Sequence, residues 1–149
     1  MDYMYYFAYG SNMNQGQMRT RCPDSKFIGI GILKNYRLDF TISDPDYWGG
    51  RGCADVVSDP GAKVWGAVYE VSKNDIENLD RAEGEEYQRF LASILMDNKV
   101  VEADVYEVVN KAPFKSPSLA YIGVIKQAAS EYGFPESYQA FLDSVSVMP

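Results

Sequence analysis

Apolar residues fall in short blocks over the first two thirds of the chain and recur at helical spacing over the last third. Tyr3 to Tyr9 is a short aromatic and apolar run, which predicts a buried strand that Gly10 ends. Asn14 to Cys22 predicts a short helix stopped by Pro23. Phe27 to Leu33 and Tyr36 to Ile42 are predicted strands around a Lys34-Asn35 turn, and Asp44 to Gly52, with Pro45 and three glycines, reads as a loop. Cys53 to Val57 and Val64 to Val71 are β-like, joined by the turn sequence Ser58-Asp59-Pro60-Gly61.

Ser72 to about Arg81 predicts a helix, because Ser72 can cap it, Asp75 follows three residues on, and Ile76 and Leu79 share a face. Tyr87 to Met96 and Val100 to Val109 flank Asp97-Asn98-Lys99 with hairpin spacing. Ser116-Pro117 is predicted to open a helix with Tyr121, Ile125, Ala128 and Tyr132 on one face, closed by Gly133. Phe134-Pro135 starts a last helix with Tyr138, Phe141, Leu142 and Val145 inward. Strands first and helices last predict an α+β fold, a curled or barrel-like sheet with helices packed outside. No repeat or linker interrupts residues 1–149, so a single domain is expected.

Composition narrows the function. Hydrophobic residues make up 46% and charged residues 23%, the balance of a chain that builds a core. A net charge of −7 argues against nucleic acid as a partner, which needs clustered Lys and Arg. No apolar stretch approaches the roughly 20 residues of a membrane span, so no membrane partner is expected. The start, Met1-Asp2-Tyr3, has no basic segment or long apolar run, and Cys22 and Cys53 are too few for a disulfide scaffold. A cytoplasmic protein with reduced thiols is expected.

The chain has no histidine. A Ser-His or Cys-His nucleophile pair is therefore impossible, and two distant cysteines make a poor zinc site. No metal is expected, and acid–base chemistry falls to a carboxylate, Tyr or Lys.

Tyr6-Phe7-Ala8-Tyr9-Gly10-Ser11-Asn12 admits two readings. It is either an aromatic core strand ending in a polar turn, or a strand end whose N–H groups form an anion-binding nest walled by Tyr6 and Tyr9. In the second, Gly10 supplies φ > 0 and close approach of a ligand. The segment is not a phosphate loop, since the Gly-x4-Gly-Lys-Ser/Thr spacing is absent. Glu83, in Asp80-Arg81-Ala82-Glu83-Gly84-Glu85-Glu86, reads on its own as part of a solvated acidic turn just past a helix.

The run Tyr-Phe-Ala-Tyr-Gly-Ser-Asn-Met at 6–13 resembles the opening signature of the γ-glutamylcyclotransferase family. Arg37-Leu38-Asp39-Phe40, Pro60 through Gly66, Leu79-Asp80-Arg81-Ala82-Glu83-Gly84, and Ser116 through Tyr121 to Gly133-Phe134-Pro135 follow in the family's order and spacing. The resemblance covers nearly the whole chain. It implies an acyltransferase- or lyase-type enzyme that releases 5-oxoproline from a γ-glutamyl amide by attack of the substrate's own α-amine.

The same resemblance places the catalytic carboxylate at Glu83, as general base and then general acid. It places the substrate at Tyr6, Phe7, Ala8, Tyr9, Gly10, Ser11 and Tyr121. The backbone of 6–11 would grip the α-carboxylate and is also available to polarise the γ-carbonyl. No cofactor is implied, and a homodimer is compatible with the family. Burial and like charge from Asp80, Glu85 or Glu86 would raise the Glu83 pKa toward neutrality.

Tyr121 reads without the resemblance as a core aromatic, Tyr87 as a pocket neighbour or core, and Asn12 as a side chain folded back on the backbone, with substrate contact by Tyr87 and Asn12 left open. Arg51, in Gly49-Gly50-Arg51-Gly52, is a lid residue or a surface arginine. The leaving group is open among an amino acid, a lysine ε-amine and a biosynthetic protecting group, with γ-glutamyl amino acids favoured by the C-terminal run. The competing class is a non-catalytic module that binds γ-glutamyl compounds or small anions.

Overall fold

A computed structural model describes residues 3–43 and 52–148. Five strands and four helices follow in the order β1 (Tyr3–Ala8), α1 (Gln15–Arg21), β2 (Lys26–Ser43), β3 (Gly52–Ser72), α2 (Lys73–Glu83), β4 (Tyr87–Met96), β5 (Lys99–Val108), α3 (Leu119–Glu131) and α4 (Glu136–Ser144). A single 3₁₀ turn, Ser11–Met13, joins β1 to α1. The strands close into a barrel in the order β1-β3-β2-β4-β5. The sheet is mixed: β1 meets β5 in parallel at Tyr6 and Asp104, and the other pairs are antiparallel. The expected α+β barrel with helices is the observed fold.

The helices begin where their caps say. The Ser72 hydroxyl accepts from the Asp75 N–H and the Asp75 carboxylate accepts from the Ser72 N–H, a reciprocal box that starts α2. Asn14 caps α1 through Gln17 N–H at 2.8 Å. The hairpin of β4 and β5 turns at Asp97, whose φ is 48°.

Two predicted turns are not chain reversals. Lys34-Asn35 and Ser58 to Gly61 were each expected to separate two strands, yet β2 and β3 run through them as 18 and 21 residues. Pairing passes from Lys34↔Lys63 to Tyr36↔Ser58, so residues 59–62 bulge out opposite Asn35. The turn residues make the bulge: Asn35 takes φ 67°, Gly61 takes φ 87°, and the Asn35 Oδ1 accepts the Gly61 N–H at 3.0 Å. Both strands bend together and the ladder resumes.

Three smaller expectations also shift. Ser118, rather than Ser116-Pro117, caps α3 by accepting the Tyr121 N–H at 3.0 Å. Phe141 faces outward at 40% exposure, while Tyr138 and Leu142 bury. Gly52 is the first residue of β3 rather than loop, and Gly49, Gly50 and Arg51 lie outside the described residues.

Phe7, Val56, Val68 and Ile94 are fully buried in the core, and the ring of Phe7 sets how closely its neighbours approach. A Cβ on Gly66 would lie 2.4 Å from the Ala8 carbonyl oxygen and 2.7 Å from the Phe7 ring. Gly66→Ala must therefore push β1 off β3 just before the chain reaches Gly10. Overpacking of this kind is expected to destabilise by about 3 kcal/mol, measured as a fall in urea midpoint at unchanged m. The turn between α3 and α4 covers the barrel through aromatic contacts, with Tyr132 stacked on Phe27 at 5.2 Å and Phe134 against Trp65 at 5.7 Å.

Candidate active site

A cavity opens where β1 ends, between the 3₁₀ turn and the C-terminal end of α2. Tyr6, Tyr9, Gly10, Ser11, Glu83 and Tyr121 all line it, so residues far apart in sequence share one wall. Phe7 and Ala8 do not line it; their side chains are buried in the core at 0% and 1% exposure. Tyr87 and Asn12 do line it.

What favours glycine at position 10 is close packing rather than a positive φ. Its φ is −113°, and a Cβ would come within 3.3 Å of the Tyr121 hydroxyl and 3.5 Å of the Ala54 Cβ. The 3₁₀ turn that follows leaves its leading N–H groups without intrahelical acceptors. Among the described residues, the N–H groups of Ser11 and Asn12 have no acceptor.

The opposite wall is pinned by Ala54. The Tyr121 hydroxyl accepts the Ala54 N–H at 3.1 Å, and the Tyr87 hydroxyl donates to the Ala54 carbonyl at 2.7 Å. Next to it, the fully buried Asp55 accepts from Thr41, Val108 N–H and the Lys111 ammonium, which fixes this stretch of β3 against its neighbours.

Glu83 is the last residue of α2, not a residue beyond it; the chain turns at Gly84, whose φ is 73°. Its carboxyl is half-buried against the cavity and is pushed up to about 7 by burial, with the Arg21 guanidinium holding it down in part. Like charge was expected to contribute, but no neighbouring carboxylate does, and no hydrogen bond offsets the burial. The charge of Glu83 in turn helps raise the hydroxyls of Tyr6, Tyr9, Tyr87 and Tyr121, although burial is the larger cause for each. All four phenols therefore stay protonated across the range in which Glu83 titrates.

Cys53 and Cys22 are both buried without a disulfide, and burial raises the Cys22 thiol to about 12. That keeps Cys22 un-ionised and inert. Among the described residues, no group of His, Cys, Asp and Glu is placed to hold a metal ion.

Arg21 and Tyr106 are among the cavity residues that the sequence did not single out. Arg21 sits on the last turn of α1 and donates to the Asn12 Oδ1 at 2.9 Å. Nothing in a short polar helix with Arg19 and Arg21 marks one arginine as inward. Tyr106, on β5, is 4% exposed; it donates to Asp80 at 2.7 Å, and its carbonyl accepts the Tyr9 hydroxyl at 2.7 Å. Its place in an apolar strand is compatible with plain core packing, so spacing alone gives no signal.

Comparison with known proteins is consistent with this geometry. Residues 6–123 match the family model described as "Gamma-glutamyl cyclotransferase, AIG2-like". The chain is 31% identical to γ-glutamylcyclotransferase of Bos taurus and 30% identical to that of Homo sapiens. Each alignment covers 94% of this chain and 77% of the relative. A solved γ-glutamyl cyclotransferase superposes with a TM-score of 0.91 at 28% identity, covering 99% of this chain and 90% of that one. An AIG2-like protein of Mus musculus superposes less closely, with a TM-score of 0.56 at 20% identity over 76% of this chain. A match over most of the chain, with relatives at this identity, assigns the protein: it is an enzyme belonging to the γ-glutamyl cyclotransferase, AIG2-like family.

Proposed function

We propose that the enzyme converts a γ-glutamyl amino acid to 5-oxoproline and a free amino acid, with Glu83 carrying the protons. The observation that supports this most directly is a carboxyl near neutrality, Glu83, on the wall shared with Gly10 and Ser11. The likeness to γ-glutamylcyclotransferases along nearly the whole chain supports a γ-glutamyl substrate, and the C-terminal run from Ser116 to Pro135 is the basis for an amino acid as leaving group.

In this reaction the substrate's α-amine attacks its own γ-carbonyl. A C–N bond closes the five-membered lactam as the bond to the departing nitrogen breaks. The attacking nitrogen starts as an ammonium and ends as a lactam N–H, so it loses two protons. The departing nitrogen starts as an amide N–H and ends as an ammonium, so it gains two. A carboxyl near pKa 7 exchanges protons in both directions at neutral pH, as base toward the first nitrogen and acid toward the second. The chemistry within the substrate is intramolecular, so the enzyme's further task is to hold the bent conformer, worth up to about 7–11 kcal/mol in ideal cases. The N–H groups of residues 10–12 suit the α-carboxylate, with Tyr9 and Tyr121 as walls. The buried, unbridged Cys22 and Cys53 suit a reducing, cytoplasmic setting.

The test is incubation of the purified protein with γ-glutamyl-alanine and, separately, with ε-(γ-glutamyl)lysine, followed by mass spectrometry for 5-oxoproline. Product from γ-glutamyl-alanine is expected. Product from the isopeptide alone would overturn the leaving-group assignment, and product from neither would overturn the reaction.

A further inference from the structure

We propose that the Tyr6 hydroxyl is a catalytic hydrogen-bond donor to the γ-carbonyl oxygen as negative charge develops there, and that Arg21 and Asn12 are positioning residues that aim it. This rests on the cyclotransferase reading above.

Donors and acceptors around Asn12 fix which way its amide faces. A guanidinium has five N–H donors and no acceptor. The Arg21 Nη1 lies 2.9 Å from one side-chain atom of Asn12, so that atom is the amide oxygen. The Gln17 amide nitrogen, 2.9 Å from the same atom, agrees. The other side-chain atom of Asn12 is then the NH₂, and it lies 3.0 Å from the Tyr6 hydroxyl. An NH₂ only donates, so the Tyr6 oxygen accepts, and its own proton must go elsewhere.

Among the described residues, the Tyr6 hydroxyl donates no hydrogen bond. Three other tyrosines on the cavity wall are committed: Tyr9 donates to the Tyr106 carbonyl, Tyr87 to the Ala54 carbonyl, and Tyr106 to Asp80. Among the described residues, Tyr6 thus brings an uncommitted O–H to the cavity, at 4% exposure, close enough to Glu83 to feel its charge. A donor beside the base is a donor beside the reacting carbon, because the attacked carbonyl and the amine that loses its proton are joined in the transition state. The relay is rigid. Asn12 is itself 4% exposed with its carbonyl held by the Tyr69 hydroxyl at 2.8 Å. The Arg21 carbonyl accepts from Asn78 of α2, the helix that ends at Glu83. A preorganised donor of this kind pays no reorganisation when the oxyanion forms.

The test uses γ-glutamyl-alanine turnover at about pH 8.5, where a base near neutrality is ionised. Tyr6→Phe keeps the ring packing and is expected to lower kcat about 10²-fold, with KM within about threefold. Asn12→Asp is nearly isosteric but turns the donor into an acceptor, which captures the Tyr6 proton. It is expected to match the loss in Tyr6→Phe. The double variant is expected to be no slower than either single one, since both remove the same hydrogen bond. Arg21→Met is expected to lower kcat and to move the acid limb of its pH profile upward, while Arg21→Lys restores most of the rate.

Wild-type kcat in Tyr6→Phe would overturn the proposal, as would a loss lying entirely in KM, or additive losses in the double variant. Glu83→Gln, assayed alongside, separates the failures. If it is inactive while Tyr6→Phe is normal, the cyclotransferase reading stands and the role of Tyr6 falls. If wild-type protein yields no 5-oxoproline, both fall.

Discussion

Glu83→Gln is expected to lower turnover by at least about 10³-fold, near the upper part of what a single acid–base group contributes. Glutamine keeps the size and polarity of the side chain but neither accepts nor returns a proton. Binding of substrate is expected to survive, because the groups suited to the carboxylate lie on residues 10–12. Calorimetric titration of the variant with γ-glutamyl-alanine, beside single-turnover assays of 5-oxoproline, separates the two. Near-normal rates would remove Glu83 from the mechanism. In the unmodified enzyme, kcat/KM is expected to rise with pH through about 7, the value burial gives this carboxyl.

The same substitution has a consequence for stability, opposite in direction. Glu83 holds its proton to higher pH in the folded protein than at its ordinary value of 4.5. The folded state therefore binds more protons than the unfolded chain between those values, and stability falls as pH rises through that window. Above it the cost of a desolvated charge is fully present. Glu83→Gln is expected to raise Tm at about pH 8.5 and to leave it nearly unchanged at about pH 4. A gain in stability with a loss of turnover is the mark of a group kept for its chemistry.

Asp55→Ala is expected to cost about 3–5 kcal/mol. Asp55 is fully buried and accepts from the Thr41 hydroxyl at 2.8 Å, the Val56 N–H at 2.8 Å, the Val108 N–H at 2.9 Å and Lys111 at 3.0 Å. Truncation leaves the buried Thr41, Val56 and Val108 donors unpaired, while the Lys111 ammonium keeps only Glu107 and the Val108 carbonyl, and the unpaired groups cost more than the lost bonds contributed. For a chain of this size the loss corresponds to a fall in Tm of roughly 10–15 °C. Lys111→Met is expected to cost less, because Lys111 is about a third exposed and its loss spares the two backbone bonds. Since Ala54 adjoins Asp55 and carries the hydrogen bonds of Tyr87 and Tyr121, KM is expected to rise in any folded Asp55→Ala protein. A change within 1 kcal/mol would show that water replaces the carboxylate without loss.

Much of this was legible from local patterns. The capping box at Ser72, the end of β1 just before Gly10 and the hairpin of β4 and β5 are decided by neighbouring residues, so they can be read from them, although Lys99, expected in the turn, pairs with Met96 as the first residue of β5. The turns at Lys34 and Ser58 misled because Asn, Pro and Gly serve a bulge as well as a reversal. Which one forms depends on the partner strand, here through the Asn35 contact with Gly61. Phe141 fits an inward helical face by spacing, but α4 turns that position to solvent.

For the site, the sequence alone determined the chemistry available. Without histidine, the proton carrier had to be a carboxylate, Tyr or Lys, and the motif at 6–13 with Leu79 to Gly84 pointed to the family and to Glu83. Only the tertiary structure decided what raises the Glu83 pKa. The acidic neighbours suggested like charge, whereas the cause is burial against a cavity formed by parts of the chain far apart in sequence. The structure also decided that Arg21 reaches Asn12 and that Asn12 turns toward Tyr6. A desolvation penalty and the direction of a hydrogen bond depend on what surrounds an atom in space, and sequence order does not carry that.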